Sequence, residues 1–250
     1  MVHPGTLLKA TTSASKEFFR PPAAEWGDEI QAMPTPHRVL AKPIMVPIRS
    51  IGPSQGERIA THLLALDGHD RYLRFGYAAN DEQIRRYVSG LDFERDEIFG
   101  IYNRRLELIA MAHLAFSTDP RLQSCAEFGV SVLAKVRGRG FGARLFDRAV
   151  MHARNEGVEM MFIHALSENT AMLNIARNAG AVIERNGSES EAYLKLPPAD
   201  LDSRMSELLA EQIARTDYRL KVQAKQFWDL LAMVQEVRRG VQDSRERSRM

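Results

Sequence analysis

The chain has 250 residues, of which 44% are hydrophobic and 26% are charged, and its formal net charge is only +2. This composition is typical of a globular protein, and the balanced charge does not indicate a nucleic-acid partner. The single cysteine, Cys125, excludes an internal disulfide framework and a multi-cysteine metal site and fits a reducing compartment, so we expect a cytoplasmic protein without a bound metal. No segment reaches the roughly 18 uncharged apolar residues that a membrane span requires.

The first 40 residues differ in composition from the rest of the chain. They are rich in Pro, Ala, Ser and Thr, and Pro21, Pro22, Pro34 and Pro36 interrupt any helix there. We therefore expect a mobile arm over residues 1–40, a folded domain over residues 41–197 and a separate extension over residues 198–250. The proline pair Pro197–Pro198 marks the end of the domain.

Strand and helix patterns begin directly after this arm. The segment IMVPIRSI predicts a strand, SQGERIATHLLAL predicts a helix capped by Ser54, and DEQIRRYVSGL predicts a second helix. Three β-rich runs follow, EIFGIYN, LELIAMAHLAF and AEFGVSVL, with polar turns between them. Such a series predicts an antiparallel meander.

Beyond Gly140 the pattern alternates between helix and strand. It predicts a helix to about Asn155, a strand in EMMFIHAL, a helix from Asn169 to Asn178 and a last strand near EAYLKL. The predicted fold class is therefore α/β, with a mixed and mainly antiparallel sheet.

The C-terminal extension is helical in composition. Apolar residues recur at intervals of seven, at Ile213, Leu220, Phe227, Val234 and Val241. The polar residues between them weaken a second seam, so a long coiled coil is not favoured. Two interpretations stay open: a helical hairpin that packs on its own domain, or a contact that forms a homodimer.

The segment Arg137–Gly142 reads RGRGFG and lies between a predicted strand and an amphipathic helix. Backbone N–H groups converge at a helix N-terminus and attract anions, and glycines let the backbone approach a diphosphate closely. The spacing G-x-G-x-G differs from the Rossmann fingerprint, and no Gly-Lys-Ser/Thr follows as in a Walker loop. We expect a diphosphate site here that belongs to neither class.

The arrangement R-x-x-G-x-G in this position resembles the acetyl-CoA motif of the GNAT N-acetyltransferases. The segment SENTAMLNIARNAGA is similar to a second motif of that family. DRYLRF and LDFERDE resemble segments of one branch, the bacterial protein lysine acetyltransferases that regulate acetyl-CoA synthetase. The resemblance covers about residues 42–196.

The resemblance implies a GNAT-type sheet with helices on both faces, whose fourth and fifth strands splay apart to admit acetyl-CoA. It also implies direct transfer of the acetyl group to a primary amine, such as a protein lysine, within a ternary complex. Backbone N–H groups near Val132 or Leu133 would then polarise the thioester carbonyl. The residues expected to bind the coenzyme are Val130, Val132, Leu133, Arg137, Gly138, Arg139, Gly140, Phe141, Gly142, Ala143 and Asn169.

Glu127 is the candidate general base, because it begins the strand that leads to the loop and matches the glutamate regarded as catalytic in the resembled branch. Histidines such as His113 and His164 are suited to proton transfer in principle, but a packed strand histidine is the favoured interpretation of each. Many GNATs carry a tyrosine, which can protonate the departing thiolate, where this chain has Ala176. No residue at this position can therefore act as that acid. The alternative function is a non-catalytic acyl-CoA-binding or sensing module that acts through its C-terminal helices.

Overall fold

The computed structural model describes residues 46–119, 122 and 124–247, and the side chains of its last helix as far as Asp229. The strands of the described part are β1 (Arg49–Ser50), β2 (Glu97–Tyr102), β3 (Leu108–Phe116), β4 (Cys125–Val132), β5 (Met160–Leu166), β6 (Val182–Asn186) and β7 (Glu189–Lys195). Its α-helices are α1 (Gly56–Leu64), α2 (Gly68–Phe75), α3 (Asp81–Ser89), α4 (Phe141–Asn155), α5 (Thr170–Asn178) and α6 (Leu201–Arg247). The predicted N-terminal arm lies outside the described residues.

The seven strands form one sheet in the order β1-β2-β3-β4-β5-β7-β6. All neighbouring strands are antiparallel except β4 and β5, which run parallel. The strands β2, β3 and β4 are consecutive neighbours, so the predicted meander is confirmed. A mixed, mainly antiparallel sheet in an α/β chain is also confirmed.

Helices cover both faces of the sheet, as predicted. On one face, His62 of α1 contacts Ser131 of β4, and Arg74 of α2 lies against Gly129 two residues earlier. On the other face, the ring of Phe128 packs edge-on against Phe146 of α4, with 5.0 Å between ring centroids. Because side chains alternate along a strand, Glu127 lies on the first of these faces, with Gly129 and Ser131.

The sheet begins differently from the prediction. The strand predicted over IMVPIRSI is present only at Arg49–Ser50, and its first two residues lie outside the described part of the chain. The predicted cap Ser54 is wrong: it lies within a 3-10 turn, and Gln55 precedes α1 without a capping side chain. Pro47 lacks the N–H that a regular ladder uses, which shortens the strand, and Pro53 begins the 3-10 turn, which takes Ser54 out of the extended conformation of an N-cap.

Two elements were not predicted from the sequence. Helix α2 begins at a cap in which Asp67 accepts a hydrogen bond from the backbone N–H of Asp70. It has only eight residues, which is too short for a clear apolar period. Strand β6 lies at the edge of the sheet, and four of its five residues are exposed, so it lacks a buried alternating face.

The C-terminal extension forms one helix of 47 residues, so the hairpin interpretation is wrong. No proline interrupts the sequence after Pro198. The first half of α6 packs on α4 through charged residues: Glu207 lies 2.8 Å from the guanidinium of Arg148 and 2.6 Å from Nδ1 of His152. Although burial opposes ionisation, hydrogen bonds from His152 and Asn155 lower the pKa of Glu207 to about 2.

Candidate active site

An opening separates β4 from β5. The two strands pair over only three residues each, Cys125–Glu127 with Met160–Phe162. Beyond these residues β4 remains paired with β3, and β5 remains paired with β7. The edges that face each other are therefore free to bind an extended group by backbone hydrogen bonds.

The backbone N–H groups of β4 point alternately to β3 and to this opening. The N–H of Leu133 donates to the carbonyl of Ile109 at 3.0 Å, so it points to β3. The expectation that Leu133 polarises a carbonyl through its N–H is therefore wrong. By the same alternation, the N–H groups of Val132 and Val130 point into the opening.

The loop that follows β4 has the backbone geometry that its glycines suggested. Gly138 and Gly140 have φ angles of 76° and 73°, in the left-handed region that favours glycine. Gly140 precedes the first turn of α4, and no side chain of the described residues caps this helix. The first N–H groups of α4, from Phe141 to Ala143, are thus left as donors for an anion.

The two arginines of the loop differ in their surroundings. The guanidinium of Arg137 forms an ion pair with the buried carboxylate of Asp70 in α2, and its Nε donates to the carbonyl of Val132 at 3.3 Å. Arg139 is exposed to solvent. Arg137 therefore links the open edge of β4 to α2, a contact that the sequence did not predict.

Glu127 is the last residue of β4 that pairs with β5, so it lies where the two strands begin to diverge. Its side chain is half-buried. Burial raises the pKa of the Tyr87 hydroxyl; the positive charge of Arg74 opposes this shift, and the negative charge of Glu127 adds to it. Glu127 thus acts electrostatically on Tyr87 of α3.

A chain of hydrogen bonds, here called the polar network, lies beside Glu127. Arg74 donates from Nη2 to the Tyr87 hydroxyl at 3.0 Å, and this hydroxyl donates to Nδ1 of His113 at 2.8 Å. The Nε2 of His113 then donates to Asp96 at 3.0 Å. Burial would raise the pKa of Asp96, but hydrogen bonds from His113 and Arg95 lower it, so this carboxylate is held charged.

A second group of polar residues lies across the opening, on β5 and β7. Nδ1 of His164 is 3.6 Å from a carboxylate oxygen of Glu191, and the Tyr193 hydroxyl donates to the same carboxylate. Burial raises the pKa of Tyr193, and Glu191 adds to this effect. Phe162 pairs with both Glu127 and Tyr193, so this group shares the face of Glu127.

The remaining predicted positions lie near α5. Asn169 precedes this helix and accepts a hydrogen bond from the N–H of Met172 at 3.1 Å, so its side chain caps the helix. A contact of Asn169 with the coenzyme stays a prediction. Ala176 is completely buried, which leaves no acid at that position.

The sequence identified Glu127 and the loop but missed most of the surrounding polar groups. Tyr87, Arg74 and Tyr193 were not predicted as site residues, and Glu191 was read only as part of a strand. These residues come from separate elements, and only the sheet register brings them together. No group of three or more potential metal ligands occurs among the described residues, and no described helix has the length and apolarity to span a membrane.

Comparison with known proteins agrees with this geometry. The model of the acetyltransferase (GNAT) family matches residues 56–181, which is half of the chain. The GNAT domain of S. lividans PAT is 18% identical, with a TM-score of 0.52 over 61% of this chain and 95% of that domain. An N-acetyltransferase from Staphylococcus aureus Mu50 is 15% identical, with a TM-score of 0.50 over 60% of this chain and 98% of the other. At these identities the two structures support the fold alone.

Proposed function

The chain belongs to the GNAT acetyltransferase family, and on this basis we propose that it transfers the acetyl group of acetyl-CoA to a primary amine, by direct attack in a ternary complex. One observation carries this proposal: the only acidic residue of β4, Glu127, lies where β4 and β5 diverge. A carboxylate at this point can reach a group bound in the opening. The acceptors that we propose include protein lysines.

The opening and the loop are suited to the two ends of acetyl-CoA. The free edge of β4 offers the N–H groups of Val130 and Val132 to the amide groups of the pantetheine arm. The uncapped N-terminus of α4, with Gly138 and Gly140 before it, offers backbone donors and the positive end of a helix dipole to the diphosphate. Arg139, Phe141 and Ala143 border this site.

The role proposed for Glu127 follows from the protonation state of the acceptor. A lysine amine, with a pKa of about 10.4, is only about a thousandth deprotonated near neutral pH. Glu127 removes a proton from the amine, directly or through water, and the amine nitrogen attacks the thioester carbon. The N–H of Val132 stabilises the negative charge that develops on the carbonyl oxygen. The C–S bond then breaks, and the sulfur leaves with the electron pair.

Protonation of the departing sulfur needs little help from the protein. A thiol with a pKa of about 8.5 leaves readily as a thiolate, so the absence of an acid at Ala176 does not prevent the reaction. The alternative, a non-catalytic acyl-CoA-binding module, is not favoured. Release of free thiol from acetyl-CoA, dependent on an added amine, tests the enzyme against this alternative directly. We further propose a cytoplasmic location, which the single cysteine of the sequence supports.

Helix α6 supports a proposal about assembly. Its domain-facing side is mostly polar or small, with Ser203 8% exposed and Ala214 completely buried, and Tyr218 is the large residue that packs there, 5.2 Å from the ring of Tyr102. Successive helix residues advance by about 100°, which puts an apolar stripe on the opposite side. Eight of the ten large exposed hydrophobic residues of the described chain lie on α6, and all but Trp228 share this stripe: Leu201, Met205, Leu208, Leu209, Ile213, Leu220, Phe227 and Trp228.

We propose that a second copy of the chain covers this stripe. Exposed apolar surface on this scale marks an interaction site. The seven-residue spacing of Ile213, Leu220 and Phe227 continues in the sequence at Val234 and Val241, so two copies of α6 present the same seam to each other. A stable interface needs about 800 Å² from each partner, and a stripe along about 40 Å of helix is of that order.

A further inference from the structure

Arg74 lies over the backbone of β4, next to the proposed base. A Cβ atom added to Gly129 would come within 2.8 Å of the guanidinium carbon of Arg74, so a larger residue at this position would displace the guanidinium from where it lies. Gly129 is two residues from Glu127 on the same face of the strand. The guanidinium therefore lies over a backbone position that is about 7 Å along the strand from that of the proposed base.

The polar network holds Arg74 in this place. The Tyr87 hydroxyl accepts its hydrogen bond, and the guanidinium carbon lies 5.6 Å from the centroid of the Tyr87 ring. His113 and Asp96 fix Tyr87 in turn. Residues of α3, of β3 and of the turn before β2 thus orient one cation toward the face that carries Glu127.

The charge of Arg74 lacks a close counter-ion in the protein. Within residues 46–119, 122 and 124–229, Arg74 forms no ion pair, and its one side-chain hydrogen bond goes to the neutral Tyr87 hydroxyl. A half-buried cation without a partner is costly, which indicates that a ligand supplies the anion. The coenzyme diphosphate is a poor fit, because the end of β4, from which the phosphate loop continues, already lies roughly 10 Å beyond Gly129.

We propose that Arg74 binds a carboxylate of the acceptor, so that the substrate is a primary amine with a carboxylate about 7 Å from the nitrogen. This proposal rests on the proposed acetyl transfer and defines its substrate class. An α-amino group lies too close to its own carboxylate to reach both Glu127 and Arg74. An ω-amino acid, or a lysine beside an acidic side chain, has the required separation.

Matched acceptors test this proposal. We would compare δ-aminovalerate with δ-aminovaleramide, and capped Lys-Glu with capped Lys-Gln, in the wild-type protein and in Arg74→Gln and Arg74→Lys. Charge-assisted hydrogen bonds lead us to expect that wild type prefers the carboxylate member at least about tenfold in kcat/KM. Arg74→Gln should abolish this preference, mainly through KM, while Arg74→Lys should retain part of it. The pair with the larger preference shows whether the acceptor that carries the carboxylate is a small amino acid or a protein.

The control is Arg86→Gln, which removes an exposed arginine of α3 that pairs with Glu82 and lies outside the site. It should keep the full preference for the carboxylate. Unchanged acetyl-CoA affinity shows that each Arg74 variant is folded. The proposal is overturned if, in both pairs, wild type has the same kcat/KM for the carboxylate and for the amide. It is likewise overturned if Arg74→Gln keeps the preference for the carboxylate. It is also overturned if Arg74→Gln lowers kcat equally for both members, because Arg74 would then act on the reacting carbonyl.

A binding measurement separates this proposal from the proposed function. Calorimetry with δ-aminovalerate and its amide, in the presence of CoA, needs no turnover. Tighter binding of the carboxylate than of the amide in wild type, but not in Arg74→Gln, supports the site even if no amine is acetylated. In that case only the proposed acetyl transfer is refuted. Equal binding of the carboxylate and the amide in wild type overturns the site.

Discussion

Glu127 of β4 lies directly opposite Phe162 of β5, and these residues form the last pair between the two strands. The candidate base and the opening for the coenzyme therefore occur at the same point of the sheet. A shift of one residue in this register would turn Glu127 to the opposite face, toward α4. The position of the carboxylate thus depends on the sheet as a whole.

The phosphate loop gives a prediction about coenzyme affinity. Replacing Gly140 by Asp introduces a side chain and a negative charge beside the donors of α4, so the dissociation constant for acetyl-CoA should rise at least about tenfold. Gly157→Asp is the matched control, because Gly157 also has a positive φ, of 80°, but lies beyond the other end of α4. Equal affinity in the two folded variants would refute the loop assignment.

His62 gives a prediction about stability and pH. Its Nδ1 donates to the carbonyl of Leu108 and its Nε2 accepts from Ser131, while burial lowers the pKa of His62 to about 4. Between the ordinary pKa of about 6.5 and this value, the unfolded chain binds a proton that the folded chain does not. Wild type should therefore lose stability from this residue as pH falls from 6.5 to 4.

The measurement is the free energy of unfolding of wild type and His62→Gln by chemical denaturation. The advantage of wild type should shrink by about 3 kcal/mol across this pH range, since each pKa unit is worth about 1.4 kcal/mol. An advantage that stays constant between pH 6.5 and 4 would show that His62 is not held neutral in the fold.

The apolar stripe of α6 gives a prediction about assembly. The double substitution Leu220→Glu and Phe227→Glu places charges on the proposed seam and should convert a dimer to a monomer. Lys225→Glu, on the other side of the same helix, should leave the mass unchanged. Deletion of residues 200–250 should also change the oligomeric state. A wild-type protein that is monomeric by light scattering at micromolar concentration would contradict the proposal.

Much of the fold follows from local patterns in the sequence. The runs that became β2, β3 and β4 are apolar and bounded by polar turns, and the helix after Gly140 has a clear apolar face. Helix α2 was not predicted because it has only eight residues, and strand β6 was not predicted because it is an exposed edge strand. The continuous helix α6 was not predicted because most of its large apolar residues are exposed and its contacts with α4 are made by charged residues, which departs from the usual pattern.

The candidate site was predictable only where its residues are contiguous. The loop Arg137–Gly142 forms one segment, and Glu127 lies on the strand that leads to it. The polar network is different: Arg74, Tyr87, Asp96 and His113 come from three elements and one turn, and no spacing in the sequence links them. Only the pairing of His113 with Gly129 across β3 and β4 reveals their proximity.

The most direct test of the account is the turnover of Glu127→Gln, because this change removes a proton acceptor and keeps the shape of the side chain. General-base catalysis is worth about 10²–10⁴-fold, so we expect at least about a hundredfold loss near neutral pH, with acetyl-CoA affinity retained. The loss should shrink as pH rises, since more of the acceptor amine is then already neutral. Glu107→Gln, in an exposed turn, should have no such effect. A Glu127→Gln variant slowed less than about threefold, or one whose deficit stays constant to about pH 10, would contradict the assignment of Glu127 as the base.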